Sequence, residues 1–155
     1  MANHRNTGTE WLDQLEGADY RWDDRPPPAP EAEIAALAHF VGRPLPSDYV
    51  AFLRRHNGGA LYYCDLWFLR LWRAADIPAW SAAYGFTPHT IPGAIAIGSD
   101  AGSEGIVLDV RPEQADGAYP IYAINFVGVS WKDAIAVAPD FRSLLQLRQR
   151  LLAKE

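Results

Sequence analysis

Cysteine is almost absent from the 155-residue chain: Cys64 stands alone, so no internal disulfide can form. Long apolar runs are also missing. The richest, Cys64 to Trp72, is interrupted by Asp65 and Arg70 and falls well short of the ~20 residues a spanning helix needs. Residues 1–9 contain no apolar core of a secretory signal. These features predict a protein of a reducing cytoplasm, with no membrane partner. Histidine is sparse and badly spaced for metal. His4, His39, His56 and His89 include no pair four residues apart, and none lies near Cys64 in sequence. No metal or cofactor site is expected. There are no internal repeats and no heptads.

A basic excess is lacking too. The net charge is −5, and all of it arises in residues 1–33, where eight acids face Arg5, Arg21 and Arg25. Residues 34–155 carry eleven acids and eleven bases. This balance gives no support for direct nucleic-acid binding. The acidic segment reads either as a solvated tail or as a contact for a basic partner.

What is present is an ordinary globular composition, 49% hydrophobic and 21% charged, of a size that supports one core. Residues 1–30 form an acidic, proline-rich appendage. Trp11, Leu12 and Leu15 give it one short apolar helical edge, and Pro26-Pro27-Pro28-Ala29-Pro30 prefers an extended strap. Residues 31–155 form the domain. Ile34, Leu37, Ala38 and Val41 repeat with helical spacing, and Gly42 offers a left-handed cap. Pro46 suits the first turn of a second helix with Tyr49, Phe52, Leu53 and His56 on its stripe. Asn57-Gly58-Gly59 closes that helix, since these residue types tolerate positive φ.

Strands are expected over residues 60–63, 66–72, 94–97, 106–110, 119–126 and 134–137. Residues 74–84 read as helical or irregular, interrupted by Pro78, and Asp116-Gly117 reads as a turn. A closing helix is expected over residues 139–152, capped by Asp140, with Arg148, Arg150 and Lys154 near its end. Helices, then strands, then a helix, with no βαβ alternation, is the α+β pattern: a central, mostly antiparallel sheet flanked by an N-terminal helix pair and a C-terminal helix.

Residues 98–105, Gly-Ser-Asp-Ala-Gly-Ser-Glu-Gly, form the most loop-like cluster. It lacks the lysine of a phosphate loop and the closing glutamate of a calcium loop. Ala101 to Gly105 nearly spells a nucleophile elbow, but a strand follows where that motif requires a helix. A hairpin connection is the better reading, and no catalytic residue is assigned.

The ordered set Leu37, Phe40, Gly42, Leu45-Pro46, Asp48, Tyr49, Phe52-Leu53 and Asn57-Gly58-Gly59 resembles the N-terminal signature of the SUKH superfamily. Ile95-Ala96-Ile97-Gly98, Gly105 to Asp109, Pro120-Ile121-Tyr122 and the closing Phe141 with Leu144-Leu145 extend the likeness over about residues 31–152. The resemblance implies a non-enzymatic α+β protein. Bacterial members of that superfamily act mostly as immunity proteins that bind and neutralise a toxin domain, often a nuclease or a deaminase; fungal members act in cell-wall assembly and signalling. The alternative role is an intracellular adaptor or regulator with the same fold. On the immunity reading, Asp100, Glu104, Asp109, Glu113 and Asp116, set against Arg111 alone, are candidate partner-binding carboxylates, and Trp72 or Trp80 is the candidate apolar anchor. Pro46, Tyr49, Asn57, Gly58 and Gly59 are structural motif positions.

Overall fold

The computed structural model describes residues 8–63, 67–114 and 119–146. The seven described strands are β1 (Tyr20–Asp24), β2 (Gly59–Tyr63), β3 (Trp67–Leu71), β4 (Ala94–Ser99), β5 (Glu104–Asp109), β6 (Ile121–Asn125) and β7 (Ile135–Ala138). They lie in chain order in one sheet, and every neighbouring pair is antiparallel. The helices are α1 (Glu31–Val41), α2 (Ser47–Leu53), α3 (Ile77–Ala83) and α4 (Phe141–Leu144), with 3-10 turns at Glu10–Glu16, Ala74–Asp76 and Trp131–Asp133. The α+β architecture read from the sequence is the observed one.

The helix pair forms as its residues dictate. Ile34 and Leu37 bury one face of α1, which Gly42 ends at φ +79°. Pro46 precedes α2, where it gives up no helical N–H. Tyr49, Phe52 and Leu53 are fully enclosed, and the Tyr49 and Phe52 rings lie 4.9 and 5.3 Å from that of Phe141 on α4. The Tyr49 hydroxyl has no hydrogen-bond partner among the described residues, and burial pushes this phenol upward from its usual titration range. Asp48 ties the two helices together: its Oδ1 accepts from Tyr49 N at 2.8 Å and its Oδ2 from Arg142 N at 2.8 Å. Asp140 caps α4 by accepting from Ser143 N at 2.8 Å. The remainder of the expected closing helix, including Arg148, Arg150 and Lys154, lies outside the described residues, as do Cys64 and the Asp116-Gly117 turn.

Two readings of the sequence are corrected. Pro78 does not interrupt a helix; it lies in the first turn of α3, where the missing N–H is harmless. Tyr20–Asp24 is a strand that the periodicity did not reveal. It pairs with β2 and bulges between Trp22 and Asp24. Residues 8–30, set apart above as an appendage, contribute to the same core. Trp11, Leu12 and Leu15 are buried with Leu37, Phe52 and Leu61, and Trp22 Nε1 donates to Leu15 O at 2.8 Å. The proline strap is held by backbone bonds from Ala29 N to Leu53 O and from Asn57 N to Pro27 O.

Candidate binding face

The β4–β5 loop is built by its own polar side chains. Asp100 Oδ1 accepts from Gly102 N at 2.8 Å and Glu104 N at 3.2 Å, while Ser99 Oγ accepts from Ala101 N at 3.1 Å. These are Asx- and Ser-type turns, and they place Ala101 at φ +66°. Ser103 therefore lies between two antiparallel strands, without the strand-to-helix turn of a nucleophile elbow. Asp100 and Glu104 are half-buried at this tip.

The acidic stretch does not form one surface. Asp109 is fully buried, which corrects its reading as an exposed partner-binding carboxylate. Its oxygens accept from Arg111 Nε and Nη2 at 2.9 and 2.8 Å and from Gln114 Nε2 at 2.9 Å. These bonds push the Arg111 guanidinium further above its already high range. Arg111 in turn lies 4.0 Å above the Trp131 ring, whose Nε1 donates to Pro92 O at 2.7 Å. The group braces the far end of β5. Glu113 is exposed beyond that end, separated from Glu104 by the length of β5, about 17 Å. Asp116 lies outside the described residues.

The tryptophans behave differently from one another. Trp72 is 8% exposed and Trp80, on α3, is 42% exposed, with their rings 5.8 Å apart and nearly parallel. Tyr84, one helical turn after Trp80, stacks on both and on Phe126 at 4.2 Å. Phe126 N donates to Ser103 O at 2.9 Å, which sets the β4–β5 loop against the β6–β7 connection. There Val127 is 86% exposed. Tyr84 and Phe126 thus join the Trp72–Trp80 pair to the β6–β7 connection, and the bond to Ser103 ties that connection to the loop that carries Asp100 and Glu104. Sequence reasoning missed Tyr84 and Phe126. The four-residue spacing of Trp80 and Tyr84 was a usable signal; the approach of Phe126 depends on the fold. A cavity of about 250 Å³ opens beside the stack, lined in part by Arg70, Trp72, Arg73, Asp76, Trp80 and Tyr84.

The acidic N-terminal segment is not an open arm where it is described. Asp13 pairs with Arg55 at 2.9 Å, Glu16 with Arg25 and with His56 (3.1 Å), and Glu31 with Arg54 at 2.9 Å. The hydrogen bond from Arg54 holds the exposed Glu31 carboxyl below its ordinary value. Among the described residues, no group of three His, Cys, Asp or Glu side chains is placed to hold a metal ion. No described helix is long and apolar enough to cross a membrane.

A single antiparallel sheet, helices α2 and α4 tied by Asp48, and the exposed aromatics Trp80 and Tyr84 define an α+β protein. A family model of the SMI1/KNR4 family (SUKH-1) matches residues 28–147, and the chain belongs to that family. Immunity and regulatory roles, generally non-enzymatic and exercised through protein–protein interaction, are those of this family. A search of curated proteins found no match. The match spans α1 to α4 and leaves the 3-10 turn Glu10–Glu16 and β1 outside it.

Proposed function

We propose that this protein is a bacterial immunity protein that binds and neutralises a cognate toxin in the cytoplasm, using the end of the sheet that carries Trp80, Tyr84, Phe126 and Val127. The carrying observation is the cluster itself: α3 leaves Trp80 42% and Tyr84 37% exposed while stacking both on the buried Trp72. Rigid, half-exposed aromatic side chains supply contact area at low entropic cost and are typical interface hot spots. Asp100 and Glu104 lie at the rim, where carboxylates favour encounter with a basic surface such as the substrate groove of a nuclease. Glu113 stands apart from this face, and Asp109 serves the interior.

The test is co-expression with the product of the adjacent gene. The wild-type protein should co-purify with it and restore growth. Trp80→Ala with Tyr84→Ala should abolish both effects, and Asp100→Lys with Glu104→Lys should slow association. Loss of neither binding nor protection in the aromatic variant removes this face. Absence of any complex with the wild-type protein favours the adaptor role.

A further inference from the structure

The cavity beside the aromatic stack contains charged groups that the fold itself does not use. Asp24 and Asp76 line it, and neither carboxylate has a hydrogen-bonding or ionic partner among the described residues. Both are exposed to solvent. Three aromatic rings, Trp72, Trp80 and Tyr84, share the same lining, with interplanar angles of 28°, 9° and 19°. Near-parallel rings present flat faces of one orientation beside two free carboxylates. Two basic residues also border the space. The Arg70 guanidinium lies 5.6 Å from the Phe68 ring. Arg73 is exposed at the turn that begins the 3-10 segment Ala74–Asp76. The lining thus holds two carboxylates and two guanidinium groups, one of which, that of Arg70, lies over the Phe68 ring.

We infer that this cavity receives an arginine side chain of the partner protein, its guanidinium stacked on Trp80 and Tyr84 and hydrogen-bonded to Asp24 and Asp76. Arginine fits better than lysine for a physical reason. A guanidinium is planar, weakly hydrated and able both to stack on an aromatic face and to donate to carboxylates in its own plane, whereas an ammonium does only the second well. The cavity volume, about 250 Å³, is room enough for one long side chain. This inference rests on the proposed protein-binding face and names what the partner must contribute to it.

The test uses the full chain and three small probes: N-acetyl-arginine amide, its uncharged citrulline counterpart and N-acetyl-lysine amide. Each is titrated while the indole N–H signals of Trp72 and Trp80 are followed by NMR. The arginine probe should shift both signals saturably. The lysine probe should bind more weakly, and the citrulline probe should leave the signals unmoved. Asp76→Asn and Asp24→Asn, both at exposed positions, should each weaken the arginine titration by about tenfold with the rest of the spectrum unchanged. Equal shifts from citrulline and arginine, or no shift from arginine, overturn the inference. Toxin protection separates the arginine anchor from the binding face. If the Asp24 and Asp76 variants protect as well as wild type while Trp80→Ala does not, the arginine anchor fails and the binding face stands. If the wild-type protein captures no adjacent gene product, the face itself fails.

Discussion

The side-chain carbonyl of Asn57 accepts a hydrogen bond from the backbone N–H of Ala74 at 2.9 Å, in the interior of the protein. The Asn57 amide nitrogen donates to Glu33 Oε1 at 3.2 Å, and the backbone N–H of Asn57 donates to Pro27 O at 2.9 Å. One buried residue thereby joins the proline strap, α1 and the segment that leads into α3. Asn57→Ala leaves the Ala74 N–H without a partner and should cost about 1–3 kcal/mol. Asn57→Asp keeps an acceptor but places a carboxylate against Glu33, so it should also destabilise. Urea unfolding measures both; a midpoint unchanged in the alanine variant contradicts the role given to this side chain.

Glycine at position 58 answers to two demands at once. Its φ is +83°, and a Cβ there would lie 2.6 Å from Leu71 O and 2.7 Å from Trp72 O. Gly42 has a similar φ, +79°, but open space around it. Gly42→Ala should therefore cost about 1 kcal/mol, from backbone strain alone. Gly58→Ala should cost clearly more, because β3 must also move. Equal unfolding free energies for the two variants would show that the close approach of Leu71 and Trp72 is relaxed at little cost.

Removal of either partner from the Asp109–Arg111 pair should have unequal consequences. Asp109 is fully enclosed, whereas the Arg111 side chain is 29% exposed. Arg111→Ala leaves a buried carboxylate with only the Gln114 amide and a backbone N–H, and should cost about 3 kcal/mol. Asp109→Asn leaves a cation that water can reach, and should cost about 1–2 kcal/mol. Thermal unfolding of the two variants gives the order; the reverse order refutes the assignment of the buried charge to Asp109.

Asp48 should imprint a pH dependence on stability. Burial raises its carboxyl above the ordinary value of 3.8, opposed in part by the N–H groups of Arg142 and Tyr49 and reinforced by the charge of Asp140. The folded state then holds this proton more tightly than the unfolded chain. Its contribution to stability is complete below the unfolded value and is lost as pH rises through the folded one, from about pH 4 upward. Asp48→Asn removes that decline. The stability of the variant relative to wild type should rise with pH across this acid range, although it loses one acceptor at all pH values. A constant difference between the two curves counts against the raised carboxyl.

Legibility in the sequence followed the range of the interaction involved. Gly42 and Pro46 were readable because a single residue type satisfies the local backbone; Asn57-Gly58-Gly59, expected to close the second helix, does not, since α2 ends at Leu53 with Arg54 as its cap and the two glycines, at positive φ, lead into β2. Six of the seven described strands were readable from their apolar and aromatic content. β1 was not: in Tyr-Arg-Trp-Asp-Asp only two positions are apolar, and β2 makes the strand by supplying the partner. The acidic count over residues 100–116 treated Asp109 as equal to its neighbours, because charge alone carries no information on burial. Its partnership with Arg111, two positions on, was within reach of the alternation of a strand. The meeting of Phe126 with Tyr84 had no local signal, since it joins α3 to a connection more than forty residues away.

β3 and β4 share only two residue pairs, Arg70 with Ser99 and Leu71 with Gly98, against three to five for the other neighbours. Gly98 permits even this contact, as a Cβ there would come within 2.3 Å of Arg70 O. The sheet is in effect two leaves, β1–β3 and β4–β7, meeting along a narrow seam. The aromatic cavity straddles that seam, with Arg70 and Trp72 on one leaf and Ser99 on the other. Any side chain that fills the cavity stitches the leaves together. If the proposed partner side chain fills it, binding is coupled to the breathing of the sheet, and the amides along Leu71 and Gly98 should report occupancy through slowed hydrogen exchange.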